Sequence, residues 1–425
     1  MKKVLIITYY WPPAGGSGVQ RWLKFVKYFR DYEIEPVVYT VENPSYPIVD
    51  ISLENDIPEN LVVLKQPIWE PNNILSIFGK KKIESAGFLN PNPSFFGEIM
   101  QYIRANYFIP DARKLWVNPS VKYLKKYLSK NNIDVIITTG PPHSMHLIGL
   151  KLKQQLNVKW IADFRDPWTE IDYFHQLPLS VKAIKKHRIL EEEVLRSADS
   201  VLVVGNTMKG KYDTFNSNVE TVTNGFDGEI VNGNIELDSK FTITHIGLMN
   251  ADRNSKMLWE VLAEICSENE DFKKYFQLKL IGKLDPSVLS EIAKQQLTKN
   301  IEIINYLPYN EVIEFQKKSQ VLLLVVNNVP SAKGIVTGKI FEYLMVKRPI
   351  LAIAPSNGDL EAIIKQTNSG FVVDFDNNAL LKKTILDLYS RFKSNNLVVD
   401  SKKIEQFHRK QLTKKVAETI NKITE

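Results

Sequence analysis

The 425-residue chain has one cysteine, Cys266, and so can form no intrachain disulfide. Cys266 lies in a helical pattern, LWEVLAEICSE, and reads as a small buried apolar residue rather than a nucleophile. A reducing compartment, the cytoplasm, is the expected location. Long apolar runs are missing too: no stretch approaches the ~18 residues that a membrane-crossing helix needs. The basic start Met1-Lys-Lys leads into VLIITYY, which stops at Trp11-Pro12-Pro13. A buried first strand is expected there rather than a targeting segment. The chain also lacks a G-x-G-x-x-G dinucleotide fingerprint after that strand, which argues against NAD-dependent redox chemistry. It has no recognised nucleic-acid module, so no nucleic acid partner is expected.

What is present is the composition of a globular protein, 44% hydrophobic and 24% charged. The length suggests two or three domains. The formal charge of +7 is spread unevenly. Between Gln101 and Lys130, Arg104, Arg113, Lys114, Lys122, Lys125, Lys126 and Lys130 face a single acid, Asp111, with six aromatic residues interleaved. Two readings stand side by side: a solvated helix with one core face, or a surface that meets anionic lipid or an anionic acceptor.

Short β-branched runs alternate with amphipathic stretches along most of the chain. Continuous apolar runs of this length suit parallel strands buried on both faces. Strand and helix in alternation predict an α/β protein built from doubly wound, Rossmann-like domains. The order restarts at Phe241-Thr-Ile-Thr-His-Ile-Gly247 as it began at Val4 to Gly18. The expected division is a first domain over 1–205, a second over 206–400, and a terminal helix over 401–425 packing back on the first. Residues 45–108, rich in Pro and Asn with a Gly-Lys-Lys-Lys run at 79–82, read as an irregular insertion.

Five stretches carry candidate chemistry. Gly15, Gly16 and Gly18 follow the first strand and precede a helix, where backbone amides can approach an anion; a tight turn explains them equally well. In Thr138-Thr-Gly-Pro-Pro-His-Ser-Met-His146, His143 stands at a helix start beside a crevice at strand carboxyl ends, and His146 reads as structural. Asp163, Arg165 and Asp166 follow another buried strand and could hydrogen-bond ligand hydroxyls; an internal bridge between Arg165 and one Asp is the alternative. Gly247 ends a strand, and Arg253 and Lys256 follow it as candidate contacts to a diphosphate. The fifth, Pro330 to Leu344, opens a helix near Thr337, Gly338 and Lys339, with Glu342 one turn inside it and in reach of a ribose diol. Asp374-Phe-Asp376 looks like a D-x-D metal motif, but its polar surroundings read as a turn, and no metal is expected.

Taken in order, YYWPPAGGSGVQR, FIPDAR with Trp116, GPPHSMHL, ADFRDPW, NGFD, HIG with DRN, TGKIFEYL and QFHRKQLT resemble the family-4-like retaining glycosyltransferases of the GT-B fold, especially bacterial enzymes of surface-polysaccharide synthesis. The resemblance spans nearly the whole chain. It implies two Rossmann-like domains facing across a cleft and a nucleotide-diphosphate sugar as co-substrate, with no cofactor and no metal. It implies a saccharide or lipid-linked saccharide acceptor, and a peripheral position at the inner membrane face fits it. Gly15, Gly16 and Gly247 would lie near the donor, Arg253 and Lys256 would hold the diphosphate, and Thr337, Gly338 and Lys339 would offer the phosphate site. Glu342 would bind the ribose, Tyr306 and Leu307 the base, and His143, Asp163, Arg165 and Asp166 would face the sugar or acceptor as the catalytic set. The family often carries two glutamates with seven residues between them; Glu342 fits the second, and Gly334 stands where the first would be. Two rival functions share the donor site: a nucleotide-sugar epimerase and a non-catalytic nucleotide-sugar binding subunit.

Overall fold

A computed structural model of the chain describes residues 1–69, 95–172, 174–233, 235–305 and 307–425. The chain forms two compact units, Met1–Asn224 with Arg409–Glu425, and Gly225–His408.

The first unit is built on a seven-stranded sheet. Its strands are β1 (Lys2–Ile7), β2 (Ile34–Val41), β3 (Val62–Gln66), β4 (Val135–Gly140), β5 (Lys159–Phe164), β6 (Ser200–Val203) and β7 (Val219–Thr221). They run parallel in the order β3-β2-β1-β4-β5-β6-β7. Leu5 pairs with Val37 on one side and Ile136 on the other. The strand period of two divides β1 between two cores: Leu5 and Ile7 join one, Val4 and Ile6 the other. That is why the strand is apolar at every position from Val4 to Ile7 rather than alternating. The helices are α1 (Ser17–Phe29), α2 (Phe95–Tyr107), α3 (Val117–Leu128), α4 (Ser144–Leu156), α5 (Val181–Ser197) and α6 (Asn206–Tyr212). Within the stretch 45–108, residues 62–66 form β3 and 95–107 form α2. The lysine run at 79–82 lies outside the described residues.

The second unit repeats the plan with six parallel strands. They are β8 (Phe241–Ile246), β9 (Phe276–Ile281), β10 (Ile301–Ile304), β11 (Val321–Val325), β12 (Ile350–Ile353) and β13 (Gly370–Val373), in the order β10-β9-β8-β11-β12-β13. Its helices are α7 (Lys256–Glu268), α8 (Glu270–Tyr275), α9 (Pro286–Lys294), α10 (Tyr309–Lys318), α11 (Lys339–Val346), α12 (Asp359–Thr367) and α13 (Asn378–Lys393). Ser255 and Asp285 cap α7 and α9 by accepting from Leu258 N and Ser287 N, and Pro286 begins α9 where a missing amide costs nothing. Cys266 is buried in α7, and burial pushes its thiol up to about 11, so it is inert at neutral pH.

The last helix, α14 (Arg409–Thr424), belongs to the first unit. Its Leu412, Val416 and Ile420 share a core with Trp22, Leu23 and Val26 of α1. In both sheets the winding reverses beside the first strand, between β1 and β4 and between β8 and β11. Open α/β sheets bind ligands outside the strand carboxyl ends at such a reversal. The candidate residues are weighed against those two places.

Candidate functional site

In the second unit the reversal lies beyond Ile246 of β8 and Val325 of β11. Gly247 turns the chain out of β8 with φ +112° and donates its amide to Ile281 O at 2.6 Å. A side chain at Gly247 would collide with the Cε and Nζ of Lys339. The glycine is therefore required twice, for its left-handed backbone and for the lysine that lies against it. Lys339 is the first residue of α11; the next two amides, of Ile340 and Phe341, turn back to Thr337 O and Gly338 O. Arg253 ends a short 3-10 turn, Ala251–Arg253, and is held in place: Nε donates to Asn327 Oδ1 at 2.7 Å and NH1 to Leu248 O at 2.9 Å. The same turn is joined to the loop after β11 by Asn328 N donating to Asp252 O. The fold thus brings Gly247, Arg253, Thr337, Gly338 and Lys339 to one end of the sheet.

Two cations and several buried polar atoms meet at this place. Burial and then the Arg253 charge push the Lys339 ammonium down to about 7, with only Glu342 opposing them. His245, on β8, is 1% exposed. Burial, then Lys339 and then Arg253 hold its imidazole well below the ordinary 6.5, so it is neutral. Its Nδ1 sits 3.2 Å from Leu323 O, Leu248 O is a second main-chain acceptor beside the ring, and Nε2 is buried with no hydrogen bond of its own. Thr337 Oγ1 and Asn250 Oδ1, on the two flanking loops, are also buried without partners. Buried polar atoms are nearly always satisfied, so this concentration makes the strand end a candidate binding site.

Glu342 lies one turn along α11, partly buried, and accepts from Gln316 Nε2 at 3.2 Å. Burial raises its carboxyl above the ordinary value, against the pull of Gln316 and Lys339. Leu307 follows β10 at the sheet edge, partly buried, and Tyr306 lies outside the described residues. Lys256 is exposed at the first position of α7, and among the described residues no ion pair joins it to the cluster. Gly334 closes a 3-10 turn, Ala332–Gly334, in the loop that leads to Thr337. Asp374 hydrogen-bonds Ser356 N and Oγ and the amide of Phe375.

The first unit's candidates form a more saturated assembly. Asp163 is fully buried, and its oxygens are occupied. Arg21 donates to it from Nε and NH2 (2.8 Å for NH2 to Oδ1), Trp22 Nε1 at 2.7 Å and Thr139 Oγ1 at 2.8 Å. Burial alone would raise this carboxyl; Arg21 and the three donors outweigh it and hold it below the ordinary 3.8. Arg165, read as a contact to ligand hydroxyls with a bridge to one Asp as the alternative, clamps main chain. It donates to Gly18 O at 2.6 Å, to Gly140 O at 3.3 Å and to Pro141 O. Asp166 is exposed on the loop beyond β5. Gly15 packs under Ile48 and donates to its carbonyl at 2.9 Å, a close approach that accounts for this glycine without a ligand; Gly16 begins α1 with φ +86°.

His143 stands at the N-cap of α4 and stacks on Trp168 with centroids 5.0 Å apart and planes at 6°. Both its ring nitrogens are buried without partners. Burial, with His146, Arg165 and His187 nearby, holds it neutral, well below 6.5. His146 is bonded to Thr138 Oγ1 at 2.9 Å and is pushed to about 3 by burial, a structural role. Asp111 of the FIPDAR stretch positions this loop by accepting from Ser144 N and Oγ. Sequence reasoning passed over two residues, His245 and Arg21. The isolated His within an apolar strand was a signal for the first; nothing local signalled the second, whose partner lies 142 positions away.

Residues 240–391 match the family model described as glycosyl transferases group 1. A search of curated protein sequences finds no significant match. Among solved structures, the chain is similar to the sucrose-phosphate synthase of Thermosynechococcus elongatus, with a TM-score of 0.58 at 12% identity over 100% of this chain and 95% of that one. It is similar to TarM of S. aureus, solved with UDP, with a TM-score of 0.58 at 11% identity over 99% and 100%. A putative UDP-N-acetylglucosamine 2-epimerase from Listeria monocytogenes gives 0.56 at 12% identity over 99% and 96%. What these likenesses share is a fold, two Rossmann-like parallel-sheet halves of the GT-B kind, and it is the second half here, over residues 240–391, that matches the group 1 glycosyl transferases.

Proposed function

We propose that the chain is a glycosyltransferase that moves a hexose-type sugar from a nucleotide-diphosphate donor to a saccharide or lipid-linked saccharide acceptor in surface-polysaccharide synthesis. The observation that carries the reading is the cationic strand end of the second unit. There Arg253 and Lys339 stand beside orphaned Thr337 Oγ1 and His245 Nε2, within the region that matches group 1 glycosyl transferases. These groups would bind the diphosphate and neutralise the charge that develops on it as the glycosidic bond breaks. Glu342, one turn beyond, would receive the ribose, and Leu307 with Tyr306 the base.

Transfer with retention and without metal fits this reading. The donor bond loosens, the acceptor hydroxyl enters on the same face, and the departing phosphate takes its proton. The first unit would serve the acceptor through His143, a neutral imidazole with two uncommitted nitrogens, and through the exposed Asp166. Asp163 and Arg165 enter as positioning residues, because their polar atoms already hold the surrounding loops.

A thermal-shift screen of nucleotide sugars tests the donor reading. A ligand at about 100 times its dissociation constant stabilises by roughly 2.7 kcal/mol. Loss of that shift in Arg253→Ala is expected, and an undiminished shift refutes the site. Incubating the bound donor without acceptor separates transfer from epimerisation, which would yield a 2-epimer or free UDP.

Peripheral contact with anionic membrane is part of the same proposal. No helix among the described residues is long and apolar enough to cross a membrane. Lys122, Lys125 and Lys126 stand exposed on α3 and line, with Lys151, a groove of about 720 Å³. Reversing the charge of those three lysines should abolish co-sedimentation with anionic vesicles; unchanged co-sedimentation removes the membrane from the reading.

A further inference from the structure

We propose that Lys339 couples diphosphate binding to proton uptake: a proton from solvent ends on Nζ as the anion arrives and leaves with it. The inference rests on the diphosphate reading of the strand-end site and deepens it. Its ground is the arrangement around the amine. Lys339 Nζ lies against the main chain of Gly247 and cannot withdraw through it. Arg253 cannot swing away either, because Asn327 Oδ1 and Leu248 O fix its guanidinium. The neighbouring imidazole of His245 is neutral and offers no negative charge.

A protonated Lys339 must therefore share a partly buried space with a fixed cation. The groups acting on it can be named by element. Arg253 comes from the turn after β8 and Glu342 from its own helix, while His245 of β8 feels its charge. From α10 comes the neutral Gln316, already committed to Glu342. Tyr343, on α11, is turned to Ile246 N and Leu323 O, and β11 contributes only apolar side chains. For Lys339 the one opposing group is the Glu342 carboxyl, itself raised by burial. Burial and Arg253 bring the free amine to about 7, so at slightly alkaline pH much of it is neutral. A diphosphate placed between the cations reverses the balance: repulsion becomes attraction, and the charged form is favoured. The proton comes from solvent or buffer and forms an N–H bond with the Nζ lone pair; no bond to phosphorus changes. Binding and protonation are then linked, and each strengthens the other.

The test is a titration of the full chain carrying 13C-labelled lysine, followed by NMR, with inorganic pyrophosphate as probe. The Lys339 signal is the one missing from Lys339→Arg. The expected midpoint is about 7 in the free protein, moving up by about two units toward the ordinary 10.5 at saturating pyrophosphate. Arg253→Gln, which keeps a hydrogen-bonding side chain at this position, should raise the free midpoint by itself. Calorimetry in buffers of different ionisation heat should show proton uptake in the native chain and none in Lys339→Arg, which remains charged and still binds. A free midpoint near 10.5, or a low midpoint that bound pyrophosphate leaves in place, overturns the coupling. If pyrophosphate disturbs no signal around Gly247 while the midpoint is low, the diphosphate reading itself falls and the coupling with it.

Discussion

Replacing Asp163 by Asn separates a structural from a catalytic role for the most heavily bonded carboxylate of the first unit. The change preserves shape and removes one charge. Arg21 has no exposed side-chain surface, and Asp163 is its only anionic partner in the described structure. Its guanidinium would be left buried and uncompensated. Removing one partner of a buried ion pair costs about 3–5 kcal/mol, a large part of the roughly 5–15 kcal/mol that holds a domain folded. For a unit of 241 residues, 224 plus 17, that corresponds to a fall in melting temperature of roughly 6–20 °C. Tryptophan fluorescence reads it well, since Trp11, Trp22, Trp69, Trp116, Trp160 and Trp168 lie in this unit and only Trp259 in the other. Arg21→Met should cost a similar amount, and the double variant less than the sum of the two. The pH dependence has a definite sign. A carboxyl held below its ordinary 3.8 contributes stability that is complete above that value and is lost as pH falls through the lower, folded value. The bridge should therefore survive at pH 5. An Asp163→Asn protein that melts within about 1 °C of the native chain but has lost transfer would refute this reasoning and return Asp163 to the substrate.

Three further outcomes are expected. Gly247→Ala places a methyl against Lys339 at φ +112°, so calorimetry should show donor affinity falling at least about tenfold, and an unaltered affinity would mean that the lysine is not part of the site. Arg253→Ala should weaken donor binding about 10–100-fold, as for a lost hydrogen bond to a charged group, whereas Lys256→Ala, exposed and outside the cluster, should leave it unchanged. His143→Phe keeps the stack on Trp168 and gives up nitrogens that bond to nothing, so melting should shift by less than about 1 kcal/mol while transfer falls at least about a hundredfold; unimpaired transfer would make His143 a packing residue.

The sheets were the most legible part of the molecule. A strand buried on both faces is apolar at most positions, and VLIITYY, VIITTG and VLLLVV announce themselves for that reason. The restart at Phe241 was visible because β8 opens a second winding from its centre strand, as β1 opens the first. The glycines were legible as glycines but not in their purpose. Gly15 yields to Ile48, 33 positions on, and Gly247 to Lys339, 92 positions on, and neither neighbour is apparent from local spacing.

Charged residues at strand ends divide by a property that spacing does not carry, namely whether the fold supplies a partner for each. Asp163, Arg165 and Arg253 look alike in sequence, one or more charges just past an apolar run. Once α1 is laid on the sheet, Arg21 reaches Asp163 and closes it off. The loops at Gly18 and Gly140 turn their carbonyls to Arg165 and occupy it. At the β8 end the supply runs short for Lys339: Glu342, its carboxyl raised by burial, is what opposes burial and the Arg253 charge there, while His245, Thr337 and Asn250 each keep a buried atom unsatisfied. The sequence places comparable charges at both reversals, and folding neutralises one set and leaves the other in deficit. A deficit of negative charge and hydrogen-bond partners, fixed in place by Asn327 and Leu248, is what a diphosphate would make good.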